Sequence, residues 1–262
     1  MPERLVTGWL ERANDRDMKI IAIANQKGGT AKTTSTAALG ILLSRRGIRV
    51  HLVDADPQAN LSQAFGIADL NDRFSCSLLD GAELPIDEIG ENLSITPGSV
   101  ALATSETQLL TAPGREYFLR ASLEKTRLLE NAVVLVDSPP SLGILALNCL
   151  TAAGGLIVAV QPGGFELHAL ASLETSVRMI RERVNPDLNV LGILLTNCHP
   201  RRRITQQVSE EVAQLHSVLG SIRTDARLLY ATTAGSILAL RRSNAMDDYS
   251  AVIDRLEAEI SW

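Results

Sequence analysis

A glycine turn between an apolar run and a helix-forming stretch constrains the fold of this chain more than any other feature. Residues 20–24 (IIAIA) are apolar, residues 27–34 (KGGTAKTT) follow, and the pattern then favours a helix through Arg46. Small residues at such a turn let successive backbone N–H groups face one point, where the helix adds its positive N-terminal end. This order of segments predicts a phosphate-binding loop between a buried strand and a helix.

The residue types in this loop predict which ligand it binds. Lys32 would reach the β- and γ-phosphates of ATP, and the Thr33 hydroxyl would coordinate Mg²⁺. The residues predicted to cradle the nucleotide are Lys27, Gly28, Gly29, Thr30, Ala31, Lys32, Thr33 and Thr34. The sequence therefore predicts ATP and Mg²⁺ as cofactors.

The other apolar runs predict the class of fold. Runs at 49–53, 133–136, 156–160 and 190–195 end in polar or Gly/Pro residues, with helical stretches between them and a short strand at 93–96. This pattern is typical of an α/β fold with a doubly wound, mostly parallel sheet flanked by helices, the P-loop NTPase arrangement. We expect a short N-terminal extension at residues 1–18 and a single ATPase domain at 19–262.

The composition excludes several classes of protein. Hydrophobic residues make up 45% and charged residues 21% of the chain, which excludes a disordered protein. No run of 18 apolar residues predicts a membrane span, and Cys76, Cys149 and Cys198 are scattered without metal-ligand spacing, so we expect a cytoplasmic protein without a cysteine metal site. Because the net charge is −5, DNA binding would require a local basic patch.

The loop and two later motifs resemble those of a known family. Lys27, five residues before Lys32, marks the deviant Walker A variety. The motifs at 24–29 (ANQKGG), 53–60 (VDADPQAN) and 136–141 (VDSPPS) resemble, in order, those of the ParA/Soj partition ATPases, within the wider group that includes MinD. The resemblance covers residues 19 to 245 and implies that Lys27 reaches across a dimer interface to the partner's ATP.

Three aspartates lie at predicted strand ends, where ligands of such sheets bind. By similarity, Asp56 would orient or deprotonate the attacking water. Asp137, as the Walker B acid, and secondarily Asp54 could hold Mg²⁺ directly or through water. Any one of these aspartates alone could instead be a helix N-cap, but capping does not explain why three of them lie at one edge of the sheet.

Other positions match the family less closely. Asn197 resembles the Asn that reads adenine, although a turn residue is the alternative, and residues 222–228 resemble a segment that closes over the base, with Arg223 in place of Pro. Ala31 stands where the family usually has Gly; if this position needs a positive φ, the methyl group costs on the order of 1 kcal/mol. Residues 161–165 (QPGGF) also depart from the usual Gln-Ala-Glu.

Basic clusters in the C-terminal third predict where DNA would bind. They are Arg201, Arg202, Arg203, Arg223, Arg227, Arg241 and Arg242. In the family, basic residues of this third form a DNA-binding surface once two subunits dimerise, and such contacts engage phosphates without reading bases. A solvated charged surface is the alternative for each cluster.

The family resemblance implies a nucleotide-switched homodimer. It would bind nonspecific DNA, hydrolyse ATP slowly when stimulated by a ParB-like or other cargo adaptor, and position a plasmid, chromosome or protein cargo on the nucleoid. A MinD-like membrane switch would need a basic amphipathic C-terminal helix, whereas residues 247–259 are acidic. A P-loop protein with little or no hydrolysis is a further alternative, because Ala31 stands where the family usually has Gly.

Overall fold

The computed structural model describes residues 18–163, 166–199 and 201–259. Apart from Met18, the predicted extension at 1–18 lies outside these ranges. The strands are β1 (Lys19–Ala24), β2 (Val50–Asp54), β3 (Asp87–Gly90), β4 (Leu93–Thr96), β5 (Val133–Asp137), β6 (Gly155–Val160), β7 (Asn189–Cys198) and β8 (Val218–Arg223).

Ten α-helices lie among the described residues. They are α1 (Lys32–Arg45), α2 (Asn60–Ala64), α3 (Arg73–Asp80), α4 (Leu102–Leu109), α5 (Phe118–Lys125), α6 (Ile144–Ala152), α7 (Glu166–Arg183), α8 (Arg203–Leu215), α9 (Ala226–Thr233) and α10 (Asn244–Glu259). Short 3₁₀ turns occur at Arg127–Leu129 and Ile237–Ala239.

All eight strands form one sheet in the order β3-β4-β2-β5-β1-β6-β7-β8. Only the edge pair β3 and β4 is antiparallel; the other neighbours are parallel. The predicted doubly wound, mostly parallel α/β sheet is confirmed. Because β5 and β6 lie on either side of β1, the loop after β1 opens at the centre of the carboxyl edge, where such sheets bind ligands.

The alternation of β1 places helices on both faces of the sheet. Ile21 and Ile23 pack in a core cluster with α1 and with the buried side chains of α10, whereas Ala22 and Ala24 belong to a second cluster that includes residues of α7 and α8. A third cluster joins β5 to α3, α4, α5 and α6. Adjacent strand residues point to opposite faces, so an entirely apolar strand is covered on both sides.

Two strands were not predicted from the sequence, and one is longer than expected. β3 reads DEIG and β8 reads VLGSIR, so neither carries an uninterrupted apolar run. Both lie at the sheet edges, where one side pairs and burial is partial, which weakens the hydrophobic signal. β7 extends through Asn197 to Cys198 because its end pairs with Arg223 of β8.

Candidate nucleotide-binding site

The loop that joins β1 to α1 is anchored to the sheet by side chains on both of its flanks. Asn25 Nδ2 donates to the Ala159 carbonyl of β6 at 2.6 Å, and its Oδ1 accepts the Lys27 N–H at 3.1 Å. Thr196 of β7 donates its hydroxyl to the Thr30 carbonyl at 2.9 Å. These bonds fasten both flanks of the loop to the sheet and engage the Thr30 carbonyl, which removes one carbonyl from competition at an anion site.

The loop itself needs left-handed backbone at two positions. Gly29 has φ 75°, and Ala31, which immediately precedes α1, has φ 56° and ψ 30°. A Cβ built on Gly28 or Gly29 would meet nothing within 4 Å, so both glycines border open space of the kind that a phosphate chain occupies. Because φ at Ala31 is positive, its methyl group crowds the backbone, and the strain expected from the sequence is present at this position.

Lys32, Thr33 and Asp137 meet beneath this space. The Thr33 hydroxyl donates to Asp137 Oδ2 at 2.6 Å, although the two residues are 104 positions apart. Burial lowers the pKa of Lys32, an effect opposed by the charges of Asp137 and Asp56. Burial, and next the charge of Asp54, raise the pKa of Asp137. A buried ammonium, a hydroxyl and a carboxylate at one point provide both charges needed for a metal-bound phosphate.

Asp54 lies beside this group but is held by a different element. Its Oδ2 accepts the Ser62 N–H at 2.8 Å and the Ser62 hydroxyl at 2.6 Å. A Cβ on Gly98 would lie 2.6 Å from the Asp54 carbonyl oxygen, so β4 must continue with glycine there. Burial raises the pKa of Asp54 to about 6. The engaged oxygen of Asp54 thus faces α2, whereas that of Asp137 faces Thr33 of the loop, so Asp137 is better placed than Asp54 for a metal that Thr33 also binds.

Asp56 begins the turn that links β2 to α2. Its Oδ1 accepts the Gln58 N–H at 2.9 Å, and its side chain is largely buried. Its charge lies close enough to Lys32 to oppose the lowering of the Lys32 pKa by burial. The next turn also uses a left-handed alanine, Ala59, with φ 52°. The Asp56 carboxylate is therefore fixed near the loop in which phosphate would bind. Among the described residues, no salt bridge to this carboxylate is recorded.

The donors around the loop fit a magnesium ion. Asp54 Oδ1 and Asp137 Oδ1 are buried and without a hydrogen-bond partner among the described residues. Within the same ranges, no three His, Cys, Asp or Glu side chains form a complete metal cage. Mg²⁺ is usually held by one or two carboxylates together with substrate phosphates, so Thr33 and Asp137 suffice for the protein's share.

The remaining predicted nucleotide residues border the same edge. Lys27 is exposed at the start of the loop, Thr34 is half-buried, and Asn197 has φ 50° and donates to Gln161 Oε1 at 3.2 Å. Gln161 follows β6 and Asn197 lies near the end of the neighbouring strand β7, which places both beside the loop. Gly164 and Phe165 of the divergent QPGGF segment lie outside the described residues.

The predicted DNA-binding arginines divide into two groups. The guanidinium of Arg223 pairs with Asp248 at 2.7 Å and also donates to the Asn244 carbonyl, so it fastens β8 to α10. The side chains of Arg201, Arg202, Arg203, Arg227, Arg241 and Arg242 are exposed. Arg223 therefore has a structural partner that the sequence did not reveal.

Known proteins match this chain over most of its length. A model of the AAA domain family matches residues 18–190. The sporulation initiation inhibitor protein Soj of Bacillus subtilis is 40% identical over 201 residues, which cover 74% of this chain and 78% of that protein. The chromosome partitioning protein ParA of Caulobacter vibrioides is 35% identical, with 74% and 75% covered. The chain belongs to the Soj/ParA family of partition ATPases.

A solved structure with a bound nucleotide has the same fold as this chain. A Mycobacterium smegmatis protein described as cobyrinic acid a,c-diamide synthase, with bound ATP analog and magnesium, superposes with a TM-score of 0.78 at 33% identity, covering 88% of this chain and 91% of that one. The ParA/Soj resemblance inferred from three short motifs is confirmed. Within the described residues, no helix is long and apolar enough to cross a membrane.

The structure also reveals residues that the sequence reading did not assign. Ser62 orients Asp54, Thr196 and Asn25 anchor the loop, and Ala59 adopts left-handed backbone. Asn25 lies in the quoted ANQKGG motif and Thr196 precedes Asn197, so proximity to a motif was an available signal for both. Ala59 lies in the quoted VDADPQAN motif and so had the same signal, whereas Ser62 had none, since its role depends on how α2 packs.

The strain at Ala31 leads to a first prediction. We expect Ala31→Gly to raise the free energy of unfolding by about 1 kcal/mol, because relief of left-handed strain exceeds the added flexibility of glycine in the unfolded chain. Urea unfolding monitored by circular dichroism measures it. As a matched control, Ala251→Gly at an exposed site within α10 should lose about 1 kcal/mol instead. If Ala31→Gly and Ala251→Gly both lowered the free energy of unfolding, the inference that Ala31 is strained would be wrong.

Proposed function

We propose that this partition ATPase binds Mg²⁺-ATP at the β1–α1 loop, forms an ATP-dependent homodimer and coats DNA without regard to sequence. A ParB-like or other cargo adaptor then stimulates slow hydrolysis and release. The observation that carries the proposal is the Thr33–Asp137 hydrogen bond of 2.6 Å next to buried Lys32. It lies beside the loop whose glycines, Gly28 and Gly29, border open space.

Each residue around the loop has a part in this scheme. Lys32 neutralises the β- and γ-phosphates, while backbone N–H groups of residues 28–34 surround them. Thr33 and Asp137 hold Mg²⁺, which when bound offsets the charge that develops on the phosphate oxygens. Asp56 orients or deprotonates the attacking water, and Asn197 contacts the adenine. Binding of the ATP analog and magnesium by the related M. smegmatis protein supports these cofactors.

Dimerisation would supply a further charge. Lys27 is exposed at the loop's outer end, where it can extend toward a second subunit. An ammonium from the partner would stabilise the transition-state charge only once two nucleotide-loaded subunits meet. Hydrolysis would therefore depend on assembly, as a switch requires.

The exposed arginines of the C-terminal third would form the DNA surface. Arg241 lies near Arg45, and the charge of Arg241 contributes, after burial, to the lowered pKa of Arg45. Arg45 donates to the Leu238 and Leu240 carbonyls, so its charge is held next to Arg241 and adds to the positive surface that DNA phosphates would meet. Because Arg223 is occupied by Asp248, the affinity should come from Arg227, Arg241, Arg242 and Arg201–Arg203.

Two alternative functions are less well supported. A MinD-like membrane switch needs an apolar helix face at the C-terminus, but Met246, Tyr249, Val252, Ile253 and Leu256 of α10 are buried in the core. A cobyrinic acid amide synthase is favoured by the description of solved structures of one related protein from M. smegmatis. Cobyrinic-acid-dependent ATP turnover without a DNA effect would favour that second activity.

A third candidate is a P-loop protein with little or no hydrolysis, which strain at Ala31 keeps open. The buried positions of Lys32 and Asp56 argue for turnover. Phosphate release measured with and without DNA distinguishes the two, since a protein that only binds nucleotide would release none above the buffer rate.

DNA binding leads to a second prediction. If about four phosphates are neutralised per dimer, a fourfold rise in salt should weaken ATP-dependent binding on the order of a hundredfold. Arg227→Glu, or Arg241→Glu with Arg242→Glu, should reduce affinity equally for two unrelated duplexes while ATP binding persists, because phosphate contacts do not read bases. Fluorescence anisotropy with ATP, with ADP and without nucleotide measures it.

The control for this experiment is Arg178→Glu, which makes the same charge change at an exposed site of α7. We expect it to retain most of the DNA affinity. Equal affinity in all three nucleotide states would disprove the switch, and an equal loss from Arg178→Glu would show that net charge rather than a local surface binds DNA.

A further inference from the structure

The C-terminal helix reaches the phosphate-binding loop through a pair of buried hydroxyl groups. Tyr249 of α10 is 1% exposed, and Ser35 of α1 is fully buried. The Tyr249 hydroxyl lies 2.8 Å from Ser35 Oγ, and Ser35 Oγ donates to the Ala31 carbonyl oxygen at 2.7 Å. Two consecutive hydrogen bonds therefore join a residue near the end of the chain to the loop itself.

The direction of this chain follows from counting protons. The Ser35 hydroxyl has one hydrogen, and the Ala31 carbonyl can only accept, so the Tyr249 hydroxyl must donate to Ser35. Burial raises the pKa of Tyr249, which keeps its proton in place. Hydrogen bonds that run in one direction through a buried region polarise one another, so each strengthens the next.

The acceptor at the end of the chain is the strained residue of the loop. Ala31 has φ 56°, a conformation in which an L-residue's Cβ crowds the backbone. Such a conformation persists only where the surrounding structure imposes it. The Ala31 carbonyl accepts both the Ser35 hydroxyl and the Ser35 N–H, the latter at 2.9 Å, so its orientation is fixed by two donors.

Tyr249 is itself held in position from the start of α10. The Asp225 carboxylate accepts the Ala245 N–H at 3.1 Å, and Asp248 pairs with Arg223 at 2.7 Å. These contacts fasten the first turns of α10 to the end of β8. The Tyr249 hydroxyl is thus presented to Ser35 by a helix whose own placement is fixed.

We propose that Tyr249 is a positioning residue of the nucleotide site, acting through Ser35 to hold Ala31 in the left-handed conformation that the phosphate-binding loop uses. The inference rests on the proposed nucleotide binding of that loop. The proposed role depends on the residue at position 31. The hydroxyl pair of Tyr249 and Ser35 matters because residue 31 is alanine, whereas with glycine there the loop would adopt the same backbone conformation without that pair.

A double-mutant cycle tests this dependence. Tyr249→Phe, Ala31→Gly and the double variant are compared in titrations with a fluorescent ATP analogue and Mg²⁺. Tyr249→Phe alone should weaken nucleotide binding on the order of fivefold to tenfold, as loss of one buried hydrogen bond can. In the Ala31→Gly background the same change should cost less than about twofold, because no strain remains to be restrained.

The matched control is Ser250→Ala, which removes another hydrogen bond of α10, donated by Nη2 of Arg46, the residue that follows α1, at 2.9 Å. It should leave nucleotide affinity unchanged in both backgrounds. An equal loss from Tyr249→Phe in the two backgrounds, or no loss in either, overturns the proposal. If Tyr249→Phe does not fold, Ser35→Ala breaks the same chain and the cycle is repeated with it.

A second readout separates this proposal from the proposed function. Urea unfolding of the same four proteins without nucleotide should show that Tyr249→Phe and Ala31→Gly are non-additive, since both act on one strained residue. Failure of the unaltered protein to bind the ATP analogue would disprove the nucleotide function alone. Additive unfolding energies would disprove the positioning role even where nucleotide binds.

Discussion

Lys32→Ala should abolish ATP binding rather than merely slow turnover. Lys32 is 7% exposed at the start of α1, where its ammonium is positioned for the phosphates next to Asp137 and Asp56. Without it, the loop would bring a triphosphate toward buried carboxylates with no compensating charge. We expect an affinity loss of at least about a hundredfold, about 2.7 kcal/mol, in isothermal titration calorimetry with Mg²⁺-ATP.

Loss of a buried charge can also destabilise the fold, so the measurement needs controls. Lys32→Met keeps most of the side-chain volume and should lose nucleotide binding while retaining the circular dichroism spectrum. Lys125→Ala removes an ammonium from an exposed position outside the loop, at the end of α5, and should leave nucleotide affinity within about threefold, since an exposed charge contributes little in water. Undiminished ATP affinity in folded Lys32→Met would place the phosphate site elsewhere.

Asp56→Ala should separate nucleotide binding from hydrolysis. The Asp56 carboxylate is fixed by the Gln58 N–H and lies near Lys32, but its proposed partner is the attacking water rather than the nucleotide. Removal of a general base costs typically 10²- to 10⁴-fold in rate, so phosphate release should fall by at least about a hundredfold. ATP binding should persist, and the ATP-bound dimer should accumulate in size-exclusion chromatography with light scattering.

Two comparisons make the Asp56 result specific. Asp80→Ala, at an exposed position at the end of α3, should hydrolyse ATP at the unaltered rate. Asp54→Ala should instead lower the free energy of unfolding, because it removes the oxygen that accepts two hydrogen bonds from Ser62 of α2. Normal hydrolysis by Asp56→Ala would remove this carboxylate from the proposed mechanism.

Local sequence determined the central architecture of this protein. The segment 20–34 predicts its own strand, loop and helix because an apolar run, paired glycines and a helix-forming stretch act over a few residues. Apolar runs that end in Asp54, Asp137 and Gln161 likewise placed polar side chains at the carboxyl edge of a parallel sheet, since that edge collects the ends of all parallel strands. The three family motifs lie within residues 18–190, which the family model matches.

Only the tertiary structure decided which of these aspartates faces the loop and which is held by another helix. Asp54 and Asp137 are register partners on β2 and β5, yet Asp137 faces Thr33 while Asp54 is engaged by Ser62 of α2. The sequence contains both aspartates but not the packing of α2, which selects between them.

The same reason explains the contacts of the C-terminal helix. Tyr249 lies 214 positions from Ser35, and Arg223 is paired by Asp248 rather than free to meet phosphate. Spacing along the chain predicts contacts within a turn or at strand ends, where geometry is local. Contacts between a helix and the residues beneath it depend on strand order, register and side-chain packing, which are established only when the whole core assembles.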